Sequence, residues 1–415
     1  MDISQLKIFI QKVGVFKSYS SLVAPVVIGL VGVLLFIPTR LVNSELRRRI
    51  TKESVSIGKN IKSMGGGIIA RDQWQIEQEY QQAYEMDANQ TALLAEQSTL
   101  RQLLSYRIFP EPKDTSTLIF KEFGRQYRTA IKELITRINA RDCPTETELQ
   151  RHLQSSSGSS VWQRGSLDRL SQVDAAIMDV LCREKAESSS VYTNPAVLAG
   201  YEFWEQYEYP GMQAAVEDCW YWQLAYWIIE DVIDTIDVLN SGSNSVLTSP
   251  VKRLLGVSFI VGGEKGLSKQ AGQGVYSAKP NYVLYPEDGL TQSCTERLSN
   301  GDIDVVHFNV VVVVNSKSVL LFMQQLCSAK EHKFTGFFSE AGEPQTFRHN
   351  QITILESNIS PIDREDSDHK LYRYGEDAVV ELDLICEYIF NKKGYDEIKP
   401  PTIKELLKTE EKKGD

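Results

Sequence analysis

The sequence predicts an α+β protein made of a single transmembrane helix, a long helical stalk, a helix-rich region and a C-terminal β-α-β-β module. Three observations predict it. An uncharged run stands near the start, a Gln/Glu/Ala-rich stretch follows, and the last third alternates apolar and polar residues on either side of one helical segment. Composition agrees: 415 residues, 42% apolar and 24% charged, suffice for a buried core and two or three folded units.

Residues 1–17 form a short N-terminal segment carrying Lys7, Lys12 and Lys17. From Ser18 to Thr39 there is no charge for 22 residues, and Leu22, Val27, Leu30, Leu34 and Ile37 mark an apolar core long enough for a span over 18–39. A cleaved signal peptide is the competing reading, but Ile37-Pro38-Thr39-Arg40 offers no small-x-small cleavage site. Lysines before the run and Arg40, Arg47, Arg48 and Arg49 after it leave orientation open on charge alone. Membrane lipid is the first partner this reading implies.

Residues 40–109 read as the stalk, interrupted at Gly65-Gly66-Gly67 and richest in helix formers from Asp72 to Leu104. Its heptads are imperfect, yet Leu93 and Leu100 are candidates for pairing with another helix. Residues 110–261 read as helices over Leu118–Arg141, Glu146–Gln154, Asp168–Lys185 and Tyr201–Asn240, closed by a strand from Pro250. Trp204, Trp220, Trp222 and Trp227 imply a well-filled helix-packing surface. Residues 262–301 are rich in Gly, Ser and Pro and read as a flexible loop.

In residues 302–391, a strand over Asp304–Val314 is followed by Ser316 as an N-cap and a helix over Lys317–Ala329. Strands follow at Gln351–Ile362 and Ala378–Phe390, the last with Leu382, Leu384 and Cys386 on one side and Glu381, Asp383 and Glu387 on the other, the latter read as a solvent or partner face. Strand, helix, strand, strand is half of a ferredoxin-like sandwich, and Val310, Val312, Leu382 and Leu384 are its candidate interface residues. The helix and strand ending this way near residue 260 hint at an internal repeat. Residues 392–415 form a tail in which seven basic residues face six acidic ones.

A net charge of −10 disfavours nucleic-acid binding, which needs clustered cations. The six cysteines are widely separated, with no C-x-x-C and no metal-ligand spacing, and Cys327 and Cys386 sit in apolar stretches where a buried thiol is the ordinary reading; disulfides stay an alternative. The strongest catalytic candidate is Glu230-Asp231-x-x-Asp234-x-x-Asp237, able in principle to hold Mg²⁺, but without a basic clamp it reads as a solvated acidic face. Gly262-Gly263 and Gly272-x-Gly274 lack a phosphate-loop ending, and His332 and His349 read as surface histidines. Catalytic, metal-binding and cofactor-binding residues are therefore all expected to be none.

The helix Trp222–Asn240, the strand Pro250–Phe259, the strand-helix pair around Phe308–Leu326 and the terminal Tyr372–Phe390 together resemble the PilO-type alignment proteins of type IV pilus and type II secretion machines, including PilO-like proteins of planctomycetes and verrucomicrobia. The resemblance implies a non-enzymatic scaffold in the inner membrane with its bulk in the periplasm. It further implies homo- or heterodimers with PilN/PilO-like membrane proteins through stalk and module, and coupling to a cytoplasmic assembly platform. The alternative is a membrane-tethered ligand-binding or sensor protein with a Trp-rich pocket, which the short N-terminal segment disfavours for want of an output domain.

Overall fold

The computed structural model describes residues 20–65, 71–157, 172–260, 278–337 and 342–414. It divides into two compact units, 1–87 and 88–415.

The first unit is helical. Helix α1 (Ser20–Arg49) runs through a π-turn (Ile50–Val55) into α2 (Ser56–Gly65), and α3 (Arg71–Gln97) follows. Here the first correction falls. Among the described residues, no helix is long and apolar enough to cross a membrane. The single transmembrane helix is therefore not supported, nor is the inner-membrane placement that rested on it. The physical reason lies in length and neighbours. The wholly apolar part of α1, Leu22–Ile37, is 16 residues, about 24 Å against a hydrocarbon core of about 30 Å. The same helix continues into Arg40, Glu45, Arg47, Arg48 and Arg49. Val27, Leu30 and Leu34 are exposed, while the side chains of Leu22 and Ile37 lie outside the described ones. The glycine break at 65–67 lies mostly outside the described residues as well.

The second unit begins within α3 and is built around one mixed sheet. In chain order come α4 (Leu118–Arg137), β1 (Ala140–Arg141), α5 (Glu146–Ser157), α6 (Gln172–Glu187), β2 (Val191–Tyr192), α7 (Tyr201–Glu205), α8 (Met212–Asn240) and β3 (Val251–Ser258). Then follow β4 (Ile303–Asn315), α9 (Val319–Leu326), β5 (Lys330–Phe334), β6 (Gln345–His349), β7 (Ile352–Pro361), β8 (Val379–Asn391), α10 (Lys392–Tyr395) and α11 (Pro401–Gly414). Six strands are ordered β1-β2-β3-β4-β8-β7, parallel from β1 to β3 and antiparallel thereafter; β5 and β6 form a separate hairpin. The expected self-contained four-element module is thus corrected. Its sheet continues into β3, β2 and β1, and a hairpin stands between its helix and its next strand. Two successive helix-strand-strand units, α8-β3-β4 and α9-β7-β8, meet at the β4/β8 pair, which is in register from Ile303↔Asn391 to Asn315↔Val379.

One long helix was expected over Tyr201–Asn240. The chain instead breaks after α7 and restarts at α8, because Pro210 cannot donate to a helical ladder and Gly211 adopts φ +114°. Helix α8 is apolar on nearly every side and is buried accordingly, with Trp220, Trp222 and Trp227 at the heart of the main core. Tyr127, in α4, donates its hydroxyl to the Ala199 carbonyl at 2.6 Å. At Gly200, in the left-handed region at φ +83°, a Cβ would run into the Trp222 ring and the Tyr127 hydroxyl.

Strand alternation separates two cores. On β4 and β8, Val310, Val312, Leu382, Leu384, Cys386 and Tyr388 face the α8 side, while Val313 and Val379 face a smaller cluster with Leu149, Met178, Leu181 and Tyr372. The acidic row on β8 is not uniformly a solvent face. Glu387 is fully buried, paired with Arg297 and accepting from Thr295 Oγ1 at 2.8 Å, both from the 278–300 segment that crosses that end of the sheet. Residues 261–277, most of the glycine-rich part of the expected flexible loop, lie outside the described residues, as does much of the Ser/Gly linker after Ser157. All six cysteines are free thiols, Cys386 buried and Cys327 half-buried.

Candidate functional site

The feature of the second unit with the most chemistry is the junction where α3 ends and the chain enters the core. Beyond Gln97 the helix unravels into Ser98, Thr99 and Leu100, and Arg101 turns inward with a side chain only 2% exposed. Four groups receive it. Nη1 donates to Asp231 Oδ2 at 3.0 Å, to the Tyr388 hydroxyl at 2.8 Å and to the Trp227 carbonyl at 3.3 Å, and Nη2 donates to Glu230 Oε2 at 2.6 Å. The Tyr388 hydroxyl in turn donates a hydrogen bond to Asp231 Oδ2 at 2.7 Å, and His349 Nε2 lies 3.4 Å from Asp231 Oδ1.

Burial alone would raise the Asp231 pKa. The Arg101 guanidinium, with His349 and Lys330 behind it, overrides burial and holds this carboxyl well below the usual range. Burial likewise opposes the charge on Arg101, and Asp231, Tyr388 and Glu230 restore it, so its pKa stands well above the ordinary value. A buried pair of this kind is costly to break, because the survivor keeps its desolvation penalty without its partner.

The surroundings reinforce the joint. Thr99 Oγ1 donates to the Asn391 carbonyl at 2.9 Å, Gln351 Nε2 donates to Ser98 Oγ at 3.2 Å, and His332 Nε2 lies 3.0 Å from the Leu100 carbonyl. Gly394 has no room for a side chain, since a Cβ there would collide with the Glu96 carbonyl and Thr99 Oγ1. Lys330 donates to the Leu326 carbonyl at 2.6 Å, tying the hairpin to the end of α9. Burial, then Arg101, pushes His332 down to about 4, so it is neutral near pH 7. Burial raises Asp234 to about 6 against the pull of Arg137, its ion-pair partner.

A cleft of about 420 Å³ beside the network is lined by Arg101, Arg137, Glu230, Asp234, His332 and Lys333, among others. Charges of both signs line it and most already satisfy one another, so the arrangement suits a structural clamp better than capture of a charged small molecule.

Several sequence expectations are corrected here. Asp231 is not part of a solvated acidic face: it is 1% exposed, its Oδ2 accepts from Arg101 and Tyr388, and its Oδ1 stands 3.4 Å from His349 Nε2. His349 is not a surface residue either, being buried at the same junction. Of the interface candidates, Leu93 is exposed and Leu100 packs partly against the core, whereas Val310, Val312, Leu382 and Leu384 are wholly buried within this chain and present no surface to a partner. Sequence reasoning missed Arg101 altogether. Its only signal was an isolated cation in the apolar run Leu100–Leu104, facing an acidic pair 130 residues further on.

Helix α3 also carries exposed apolar side chains. Trp74, Ile76, Tyr80, Tyr84 and Met86 are all more than half exposed, and Ile76, Tyr80 and Tyr84 stand four residues apart on one flank.

No family model matches the chain, and no curated protein matches it. A crystal structure of a protein from Akkermansia muciniphila aligns with 66% of this chain and 96% of that one, at 9% identity and a TM-score of 0.23. A likeness that slight carries no argument, and the PilO-type identity is not shown by it. What stands is a mixed helix-and-sheet second unit with the Arg101 network buried in it.

Proposed function

We propose that this chain is a non-enzymatic structural subunit of a pilus- or secretion-type machine, pairing through α3 with a second copy or with a PilN/PilO-like chain. One observation carries the reading: α3 displays large apolar side chains to solvent, while its continuation is fastened into the body by the Arg101 network. Exposed aromatic stripes of this kind mark protein partners more often than they mark catalysis. Within the second unit, the buried and multiply bonded guanidinium of Arg101 fixes the segment that follows α3. The likeness of Trp222–Asn240 and Tyr372–Phe390 to PilO-type segments points to the same class of assembly, and an assembly platform is the further partner that class implies. The Trp-rich region does not favour the ligand-binding alternative, since Trp220, Trp222 and Trp227 are packed in the core.

The test is oligomeric state. Light scattering on the full chain is expected to report a dimer that dissociates when Trp74, Tyr80 and Tyr84 are replaced by serine, while circular dichroism shows that the monomer keeps its folded helix and sheet content. A wild-type chain that stays monomeric at all accessible concentrations, and that also fails to capture a PilN/PilO-like chain, would sink the proposal.

A further inference from the structure

Residues 392–404 bring four lysines around one concavity on a protein whose net charge is −10. Lys392, Lys393, Lys399 and Lys404 line one cavity of about 480 Å³, together with Gly301, Asp396 and Leu407. The cavity is assembled from α10, the turn Asp396–Ile398 with Lys399 after it, the first two turns of α11, and Gly301 ahead of β4. Its shape follows from local bonding. Asn391 accepts the Lys393 amide at 3.1 Å, and the Lys392 amide donates to the Asp302 carbonyl at 2.9 Å, which sets the first two lysines on adjoining sides of the turn.

The floor is rigid. Lys399 is 1% exposed, lies over the Tyr282 ring at 5.2 Å and the Tyr395 ring at 4.9 Å, and pairs with the fully buried Asp304. Lys392 Nζ stands 3.5 Å from the other oxygen of the same carboxylate. Two ammonium groups thus share one acid. Burial lowers the Lys399 pKa, Asp304 opposes that, and Lys392 lowers it further, which is the mark of cations crowded together. At the rim, Lys404 reaches Asp396 at 2.8 Å, and Lys393 is exposed with no ion-pair partner among the described residues. Four cations therefore face two carboxylates, leaving a surplus of two positive charges around one concavity.

The ligand chemistry follows from the donors. Lysine is a compact point charge with rotatable donors, whereas flat carboxylates are better recognised by the bidentate fork of arginine. Among the described residues, no arginine lines the cavity. We propose that this cavity binds a compact phosphate-bearing anion, free in solution or presented as a lipid headgroup, with Lys393 and Lys404 at the rim and Lys392 and Lys399 supplying the field from below. Asp396 is the opposing charge in the lining; it orients Lys404 and weakens the site electrostatically.

The experiment uses the full chain, with pyrophosphate as the free probe and acetate at matched ionic strength as the control. Calorimetry is expected to show pyrophosphate binding and no acetate binding. Lys393→Gln with Lys404→Gln weakens pyrophosphate by at least about tenfold, and Asp396→Asn tightens it. Both lysines are solvent-accessible, so the double variant is expected to keep its unfolding midpoint. Co-sedimentation with phosphatidic acid vesicles, compared with phosphatidylcholine vesicles, separates the sources. Vesicle binding lost in the double variant assigns a lipid headgroup, and pyrophosphate binding without it assigns a free anion. Binding of neither probe, or binding that the double variant retains in full, overturns the site.

Discussion

Helices α3 and α8 are nearly equal in length, 27 and 29 residues, and both carry tryptophan and tyrosine. Their fates are opposite. On α8, Trp220, Trp222 and Trp227 are at most 1% exposed, whereas on α3 Trp74 is 62% and Tyr84 74% exposed. The difference lies in what surrounds the aromatics. On α8 they stand among Leu224, Ile228, Ile229, Val232 and Ile233, so the helix has apolar residues on all sides and must be enclosed. On α3 the residues between them are mostly glutamines and glutamates, so the rings stand on an otherwise polar helix and remain exposed. The same residue types therefore build a core in one place and stay exposed to solvent in the other.

The comparison can be broken most forcefully at the core. Trp222→Ala is expected to cost about 3–5 kcal/mol in denaturant unfolding, since a fully buried indole leaves a cavity that its neighbours cannot refill. A result below 1 kcal/mol would mean that α8 is not the packed centre. Arg101→Met is expected to cost a comparable ~3–5 kcal/mol by stranding the Asp231 carboxylate, and adding Asp231→Leu should recover much of that loss. If the second substitution makes matters worse, the joint is held by something other than this ion pair. Gly200→Ala should destabilise by about 1–3 kcal/mol, from left-handed backbone strain and contact with the Trp222 ring.

A smaller effect sharpens the account of the joint. With its pKa lowered to about 4, His332 binds a proton less readily in the folded than in the unfolded chain, so it contributes stability near pH 7 that is lost as pH falls through 6.5 towards 4. Asp234, raised to about 6, acts in the opposite sense, favouring the folded state as pH falls from 6 towards 3.8. His332→Gln should therefore make the melting temperature fall less steeply, or even rise, between pH 6.5 and 4. An unchanged slope would remove the histidine from the joint's acid response. The least change belongs to α3, where Tyr84→Ser should move stability by no more than about 0.5 kcal/mol.

Periodicity exposed much of this fold and little of its junction. The strand pair at Asp304–Val314 and Ala378–Phe390 stood out because alternation repeats over a dozen residues, and the structure pairs β4 with β8 throughout. The hairpin β5–β6 did not stand out, since five-residue strands rich in Lys, His and Arg carry no apolar alternation to read. The acidic residues of α8 were visible, but their burial was not, because a carboxylate on an apolar helix looks the same whether it meets water or an arginine from 130 residues earlier in the chain.

Local residue chemistry was enough to place most helices and the apolar side of the long strands, because side-chain periodicity acts over a few neighbouring residues, although it ran Tyr201–Asn240 together across the break at Pro210-Gly211. It was also enough to count the charge. Which charges are buried, which aromatic helix is enclosed, and which valines and leucines are spent inside the chain depended on the long-range approach of segments. Those contacts settle the balance between desolvation and pairing, and no short window of sequence contains both partners.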